Sequence, residues 1–371
     1  MQEYFLVFIF LSIFSIADLY VKQNVRFSYF IIPLVVIIVF VGFRWETGND
    51  WLPYLDYYQS MDDISYKSDS FEIGFRFISY VIKTTGVEYS YFLFMVSSFY
   101  IIVFSISFLY TKRPSLILFI FYSTYLLGFM GTLRQTIAIS FCLIAFFLLY
   151  YKKRFLPYLL LLVASFFHIT ALFSFLAIIV PKKIISKSIF FIVSMIAFLF
   201  FYLDLINVIF EYALQYTAGI DFIYNRLVVY NQLQSGDLYE NGKNAILIGS
   251  IKRVALSIIF WFFLKRIKND IGFLGYFFNL YFISVVFFLL FQGPLLMIAL
   301  RGTLYFAFLE IFLIAAICYS IKDKILKIIS FFIISLYMLL RIYSAVYSYH
   351  PDLYVPYKAV FYNQNVIKKL Y

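Results

Sequence analysis

Long apolar runs bounded by charged residues recur along nearly the whole chain and point to a membrane environment. Of the 371 residues, 64% are hydrophobic and 13% are charged, whereas a soluble domain is about 45–50% apolar. A helix that crosses a bilayer needs about 20 apolar residues. The composition excludes an ordinary soluble protein and predicts an all-α polytopic integral membrane protein. We expect about 10–12 transmembrane helices, in one domain that covers residues 1–371.

The boundaries of the apolar runs predict where the chain crosses the membrane. Spans are expected near residues 4–20, 27–43, 89–110, 116–131, 135–150, 188–209, 245–264, 272–291, 302–320 and 327–346. The apolar stretch 156–180 is predicted to be two short helices that meet near His168, and a single tilted span is the alternative. Non-helical backbone at membrane depth is tolerated where it lines a polar cavity.

The basic residues predict which side of the membrane each connection faces. Lys and Arg number 30, against 19 Asp and Glu, and basic short loops mark the cytoplasmic side. Six short connections hold 16 of these positive charges, at residues 22–26, 112–113, 152–154, 182–187, 265–268 and 322–327. The longer loops 44–88 and 210–244 and the tail 347–371 are then extracytoplasmic. The charge surplus thus indicates membrane topology rather than a nucleic-acid partner.

Residues 71–83 are predicted to form an amphipathic helix that lies on the membrane surface. Two opposite stripes define it, one apolar (Phe71, Gly74, Phe75, Ile78, Val81, Ile82) and one polar (Glu72, Arg76, Ser79, Lys83). A helix of this kind lies in the interface rather than across the bilayer. Glu72 and Arg76 are four residues apart and are expected to form an ion pair.

Carboxylates and a histidine at the predicted outer ends of helices are the candidate catalytic residues. Glu46 and Asp50 follow the second span, and His168 lies at the predicted break between short helices. Each of these groups can accept a proton from a hydroxyl. The alternative is an interfacial anchor for the carboxylates and a hydrogen-bonded packing residue for His168. No metal or cofactor is expected, because histidines and cysteines are few and the two cysteines lie in apolar runs.

Several arginines are candidates for binding a phosphate-bearing substrate. Arginine matches phosphate oxygens with two parallel hydrogen bonds. Because these arginines lie in outer loops or near outer helix ends, they predict a diphosphate ligand held without a metal, while pairing with lipid headgroups is the alternative. The predicted substrate-binding residues are Arg44, Arg76, Arg134, Gln135, Arg226, Arg253 and Arg301.

Five short motifs occur in a familiar order along the chain. They are Arg44-x-Glu-x-Gly-x-Asp50, Glu72-x-Gly-Phe-Arg76, Arg134-Gln135, Phe167-His168 and Val355-Pro356-Tyr357-Lys358. In order and spacing they resemble the EpsG-type family of bacterial polysaccharide polymerases, which includes many Wzy-like O-antigen polymerases. The resemblance is strongest over residues 42–180.

The resemblance implies a glycosyltransferase in the bacterial cytoplasmic (inner) membrane. Such a polymerase joins polyprenyl-diphosphate-linked oligosaccharide repeat units on the outer face of that membrane. Its expected partners are these lipid-linked sugars, membrane lipids and a chain-length regulator protein. The alternatives are a lipid-linked glycan ligase and a transporter or flippase of lipid-linked sugars. A transporter should carry functional charge at the bilayer midplane, whereas the unusual charges identified in this sequence gather at predicted outer ends.

Overall fold

The computed structural model describes residues 2–22, 25–67, 70–217, 228, 237–267, 272–292, 295–347 and 351–361. These residues are almost entirely helical. They form two compact units, one of Met1–Phe175 with Ile314–Tyr371 and one of Leu176–Leu313. The predicted all-α polytopic membrane fold is confirmed. The prediction of one transmembrane domain over residues 1–371 stays a prediction.

The helices are numbered in chain order. In the first half of the chain they are α1 (Gln2–Asp18), α2 (Arg26–Gly42), α3 (Trp51–Ser60), α4 (Ile73–Thr84), α5 (Tyr89–Leu109), α6 (Pro114–Phe121), α7 (Leu127–Gly131), α8 (Leu133–Tyr150) and α9 (Leu156–Phe167). A π-helical turn (Tyr122–Leu126) joins α6 to α7, and a 3₁₀ helix (Ile169–Ile178) follows α9. Later come α10 (Lys187–Tyr202), α11 (Leu205–Thr217), α12 (Asp237–Ile267), α13 (Leu274–Leu290), α14 (Leu296–Ala307), α15 (Glu310–Ser320), α16 (Lys324–Tyr347) and α17 (Pro351–Tyr354).

Six helical segments among the described residues are long and apolar enough to cross a membrane. They are Tyr89–Leu109, Pro114–Gly131, Leu133–Tyr150, Ile246–Ile267, Ala299–Ser320 and Lys324–Tyr347. The pair α10 and α11, bent by 63°, makes a seventh if it is one broken span. Three further predicted spans correspond to α1, α2 and α13, each of 17 residues, which is the lower limit of about 17 for a spanning helix.

A buried carboxylate joins two of the predicted cytoplasmic connections. Asp18, at the end of α1, accepts hydrogen bonds from the backbone N–H groups of Ser115 (3.0 Å) and Leu116 (3.4 Å) in the first turn of α6. A carboxylate is favourable at a helix N-terminus because of the exposed N–H groups and the helix dipole. Arg26 lies 3.8 Å from the carboxylate, and Arg113 donates to the Asp18 carbonyl. The connections 22–26 and 112–113 therefore lie at the same end of the first unit, as the charge pattern predicts.

The helical structure breaks at His168, which ends α9 in an extended conformation. The next backbone N–H donates to Glu72, which pairs with Arg134 at the start of α8. Ser174 lies five residues farther along the 3₁₀ helix, and its hydroxyl accepts a hydrogen bond from the Cys142 thiol (3.3 Å). Cys142 lies eight residues beyond Arg134 on α8, a rise of about 12 Å, so the chain turns back at His168. The prediction of two short helices that meet near His168 is confirmed.

The amphipathic segment forms a helix, α4, but its polar stripe faces the protein. Phe75 and Ser79 are buried, and the Lys83 ammonium donates to the carbonyls of Gln59 (2.8 Å) and Met61 (2.6 Å). Backbone carbonyls at the C-terminal end of α3 require donors, and the polar stripe supplies them.

The exposed side of α4 is apolar, and its contact with α9 is close. Ile73, Phe77 and Val81 are exposed on one side of the helix. On another side, a Cβ atom added to Gly74 would lie 2.8 Å from the Phe166 carbonyl oxygen. Only glycine allows this approach of the two helices.

Candidate functional site

Closely packed aromatic rings hold α3 and α4 at the predicted outer end of the first unit. Large rings bury much apolar area and add about 0.5–1.5 kcal/mol per favourable pair. This packing orders the segment between α2 and α5, although it crosses no membrane. The ring pairs, with distances between centroids, are Tyr57 with Phe71 (4.0 Å), Tyr58 with Phe92 (4.4 Å) and Tyr54 with Phe75 (5.2 Å).

Arg134 is the centre of the polar cluster at this end. Its Nη1 donates to the Glu72 carboxylate and to the Ser70 carbonyl (2.9 Å), and its Nε donates to the Tyr54 hydroxyl (3.4 Å). The guanidinium also lies 4.7 Å from the centre of the Phe71 ring. No described residue accepts a hydrogen bond from Nη2. The arginine is thus fixed in orientation and keeps one donor group for a ligand.

Glu72 connects this arginine to the break after α9. One carboxylate oxygen pairs with Arg134, and the other accepts the backbone N–H of Ile169 at 3.3 Å. The side chains of Glu72 and Arg134 are 21% and 22% exposed, so the pair is partly accessible to solvent. The expected pair with Arg76 does not form between these two described residues. Arg76 instead donates to the Ile64 carbonyl (2.7 Å).

His168 is oriented by the residue two positions after it. Its Nδ1 lies 2.7 Å from the Thr170 hydroxyl and 3.3 Å from the Thr170 backbone nitrogen. A backbone N–H can only donate, so Nδ1 accepts and the proton of a neutral ring lies on Nε2. In this tautomer the ring presents a hydrogen-bond donor at Nε2, whereas a base acting there needs an acceptor.

Glu46 is held by the C-terminal segment of the chain. Strand β1 (Arg44–Trp45) pairs antiparallel with β2 (Lys358–Ala359), and Lys358 Nζ lies 2.5 Å from the Glu46 carboxylate. Glu46 is 1% exposed. The carboxylate is therefore buried in an ion pair and fastens the chain end to the loop after α2.

Arg44 is buried in the same region. It donates to the carbonyls of Val41 (2.7 Å) and Met130 (2.6 Å) and to the Ser97 hydroxyl (2.8 Å). These bonds link α2, α5 and α7. In the position that it occupies, Arg44 acts as a structural cross-link and presents little surface to a ligand.

Gly48 allows the loop after α2 to cross the end of α7. Its φ is +102°, and an added Cβ atom would lie 2.7 Å from the Gly131 Cα atom. Both the backbone angle and the close approach require glycine. The crossing brings the loop that carries Glu46 and Asp50 next to the start of α8, where Arg134 lies.

Asp50 lies near the Arg134 cluster. It precedes α3 and is half-buried. Burial raises the pKa of the Tyr54 hydroxyl, and the negative charge of Asp50 adds to this shift. Tyr54 is the residue that meets Arg134 Nε, so Asp50 and Arg134 act on the same hydroxyl.

The other predicted substrate-binding residues are placed as follows. Gln135 is buried on α8, next to Arg134. Arg253 lies on α12 in the second unit, where its guanidinium is 3.8 Å from the centre of the Phe288 ring. Arg301 is exposed on α14 in that unit, inside the candidate span Ala299–Ser320 rather than before it. Arg226 lies outside the described residues.

Three residues that matter here were not among the predicted site residues. Glu72 was interpreted as a surface partner of Arg76, and Lys358 and Tyr54 were given no role. The short motifs that contain Glu72 and Lys358 were the available signal, whereas Tyr54 lies in none of the motifs. Glu310 was also overlooked, and it is buried within the candidate span Ala299–Ser320. An ionisable group at this depth contradicts the view that unusual charges gather only at outer ends.

The comparison with known proteins decides the family. The EpsG family model matches residues 27–359. The chain belongs to the EpsG family. No curated protein and no solved structure matches it.

Membership suggests a polysaccharide polymerase-type, glycosyltransferase-like role for this multi-pass membrane protein. The match runs from α2 to β2, so it includes Arg44, Glu72, Arg134, His168 and Lys358. The resemblance inferred from the motifs is confirmed. No group of three or more His, Cys, Asp or Glu that could hold a metal ion occurs within the described ranges.

Proposed function

We propose that this EpsG-family protein is an O-antigen or exopolysaccharide polymerase. It joins polyprenyl-diphosphate-linked oligosaccharide repeat units on the outer face of the bacterial cytoplasmic membrane. The observation that carries the proposal is the cluster of Arg134, Glu72 and His168 at the predicted outer end of the first unit. There, an oriented guanidinium with an available Nη2 lies beside a break between short helices.

Arg134 is proposed to bind the diphosphate of the donor. Glycosyl transfer builds negative charge on the leaving oxygen, and a fixed cation there stabilises the transition state more than the ground state. Glu72 and Tyr54 act as positioning residues, because they hold the guanidinium before the substrate arrives. His168 is proposed to donate a hydrogen bond from Nε2 to the same diphosphate or to a sugar hydroxyl.

Asp50 is proposed to accept the proton of the acceptor hydroxyl. Of the three predicted bases, Glu46 is buried with Lys358 and His168 presents a donor at Nε2. Asp50 is half-buried beside Tyr54, and Tyr54 contacts Arg134. A substrate bound to Arg134 would therefore lie near the Asp50 carboxylate. In the proposed step, the acceptor oxygen bonds to the anomeric carbon, the bond to the diphosphate breaks, and Asp50 takes the proton.

The test is to delete the gene and to separate the surface polysaccharide by size. A polymerase mutant should leave acceptors that carry a single repeat unit. Acceptors without any repeat would indicate a ligase, and loss of exported units would indicate a flippase. Either result would overturn the proposal.

The catalytic assignment is tested by complementing the deletion strain. Asp50→Asn should restore only single-repeat product, whereas Asp62→Asn, an exposed carboxylate change in the same loop, should restore long chains. Equal long-chain product from both variants, at matched protein level, would remove Asp50 from the proposed mechanism.

A further inference from the structure

A cavity of about 260 Å³ lies in the second unit between α10, α12 and α13. Its lining is apolar except for Ser194 and Ser257. The Ser257 hydroxyl already donates to the Val254 carbonyl at 2.8 Å, so Ser194 is the main polar group left for a ligand among ten lining residues. Apolar surroundings with few polar groups favour a hydrocarbon and not a sugar.

The cavity reaches the exposed side of the helices. From α10, it is lined by Phe191, Met195 and Phe198, which are exposed, with Met195 at 59%. From α13, it is lined by Val285 and Leu289, which are buried. Because α12 carries a candidate membrane span and α10 belongs to the bent pair that makes another, we infer that the exposed wall on α10 faces the hydrocarbon region. A lipid chain can therefore enter from the side.

An arginine lies beside this cavity. Arg253 precedes the lining residue Val254, and its ring partner Phe288 precedes the lining residue Leu289. Its Nη1 donates to the carbonyl of Gly249 in its own helix at 3.2 Å. The position is seven residues inside the candidate span Ile246–Ile267, a depth of about 10 Å. An arginine at such a depth requires an anionic group or a path to the headgroups.

We propose that this cavity binds the hydrocarbon chain of an isoprenoid phosphate, with the phosphate paired to Arg253. The volume of about 260 Å³ has room for part of one chain, and an isoprenoid phosphate has one chain where a bilayer phospholipid has two. Ser257 lies one turn deeper than Arg253, so the chain runs into the membrane from a phosphate at the arginine. The preference for an isoprenoid over a phospholipid rests on the proposed function.

Photocrosslinking of the full-length protein tests this site. The purified chain, in nanodiscs of phosphatidylethanolamine and phosphatidylglycerol, is exposed to a polyprenyl phosphate that carries a diazirine in its chain. Crosslinks should map by mass spectrometry to peptides of α10, α12 and α13. Excess unlabelled polyprenyl phosphate should remove them, and added phosphatidylglycerol should not. Equal competition by both lipids, or no crosslink in these helices, would overturn the proposal.

Two variants and a matched control locate the contact. Met195→Trp narrows the entrance, and Arg253→Met removes the charge. Arg253→Met should lower crosslinking about tenfold, the effect of losing one charge-assisted contact. Met195→Trp should also lower crosslinking, because the larger side chain blocks the entrance. Ile196→Trp adds the same bulk at the next exposed residue of α10, which does not line the cavity, and should crosslink like the unmodified protein. If all three variants crosslink equally, the cavity is not the site.

Crosslinking does not depend on polymer formation, so the two proposals fail separately. A protein that crosslinks at the cavity but whose deletion leaves long chains intact would retain the site and lose the proposed function. If the deletion strain makes only single-repeat product and the purified protein does not crosslink at the cavity, the proposed function is retained and the proposed site is lost.

Discussion

At the scale of single residues, the guanidinium geometry of Arg134 is the central feature. Three of its contacts involve Nε and Nη1, with Tyr54, Ser70 and Glu72 as acceptors. A lysine ammonium could keep the charge but not the planar arrangement that satisfies these acceptors and a phosphate together. The orientation of the group, beyond its charge, is therefore expected to matter.

Arg134→Lys should reduce long-chain polysaccharide at least about tenfold, because charge-assisted hydrogen bonds contribute about 1.5–3 kcal/mol each. The measurement is the size distribution of surface polysaccharide at matched protein level. Arg154→Lys, an exposed change in a predicted cytoplasmic connection, is the control and should behave like the unmodified protein. Full activity of Arg134→Lys would reduce this residue to a charge anchor.

His168 can be assigned a role by comparing two amides. Glutamine at 168 can place an N–H near the position of Nε2, whereas asparagine can replace only the acceptor at Nδ1. If the ring donates a hydrogen bond, His168→Gln should keep more long-chain product than His168→Asn. A base would be lost equally in both variants. Equal loss of long chains in both, with normal protein level, would therefore restore the base hypothesis.

At the level of secondary-structure elements, residues 351–361 are attached to the loop after α2. Gly48 N–H donates to the Leu353 carbonyl (3.3 Å), and the Tyr354 hydroxyl donates to the Leu127 carbonyl (3.2 Å). Together with the pair of Glu46 and Lys358, these bonds hold the loop after α2 in place. Loss of this attachment should shift the positions of Asp50 and Arg134, although neither residue is itself changed.

Lys358→Ala should destabilise the protein, because it removes the ammonium group that pairs with the buried Glu46 carboxylate. Removing one partner of a buried ion pair costs about 3–5 kcal/mol, and the exposure of Lys358 places the expected loss near the lower limit. Thermal unfolding of the purified protein in detergent measures it. Lys358→Arg keeps the charge and should retain most of the stability. Unchanged unfolding of Lys358→Ala would show that the pair contributes little.

The contact of α4 with α9 gives a second test at this scale. Gly74→Ala places a Cβ atom 2.8 Å from the Phe166 carbonyl oxygen, so the helices must separate and carry Glu72 away from Ile169. Long-chain product should fall. Gly128→Ala is the control, since nothing lies within 4 Å of its added Cβ atom. Equal product from both variants would show that the close approach is unnecessary.

At the scale of the whole molecule, the inner and outer ends of the first unit have different chemistry. Asp18 joins two basic connections at one end, and the Arg134 cluster lies at the other. Positive charge in short loops is retained in the cytoplasm. The charge pattern therefore predicts that the Arg134 cluster lies on the outer side, where a lipid-linked sugar is polymerised under the proposed function.

Cysteine accessibility tests this orientation. In a variant without Cys142 and Cys318, Ser60→Cys should react with an impermeant thiol reagent once the outer envelope is opened. Lys153→Cys should react only after the inner membrane is broken. Both positions are exposed in the structure, so burial does not protect them. The reverse order of reaction would invert the topology.

The amino-acid sequence was sufficient to predict the fold class, the short helix pair at His168 and the family. Hydrophobic runs and charge positions act locally along the chain, because each helix must satisfy its own backbone hydrogen bonds in lipid. For that reason the spans and the break at His168 could be predicted from composition and order. The ends of the spans were less well predicted. Arg301 precedes the predicted span 302–320 but lies inside the candidate span Ala299–Ser320, because a helix can extend beyond either end of an apolar run.

Which charged residues pair with one another depends on the packing of the helices. Glu72 has a sequence neighbour of opposite charge, Arg76, yet its partner is Arg134, 62 positions away. Glu46 pairs with Lys358 across 312 positions. A pairing of this kind depends on which helices pack together and on glycines such as Gly74 that set their distance. One chain's hydrophobic pattern does not contain that information, because apolar faces of many helices are interchangeable in lipid.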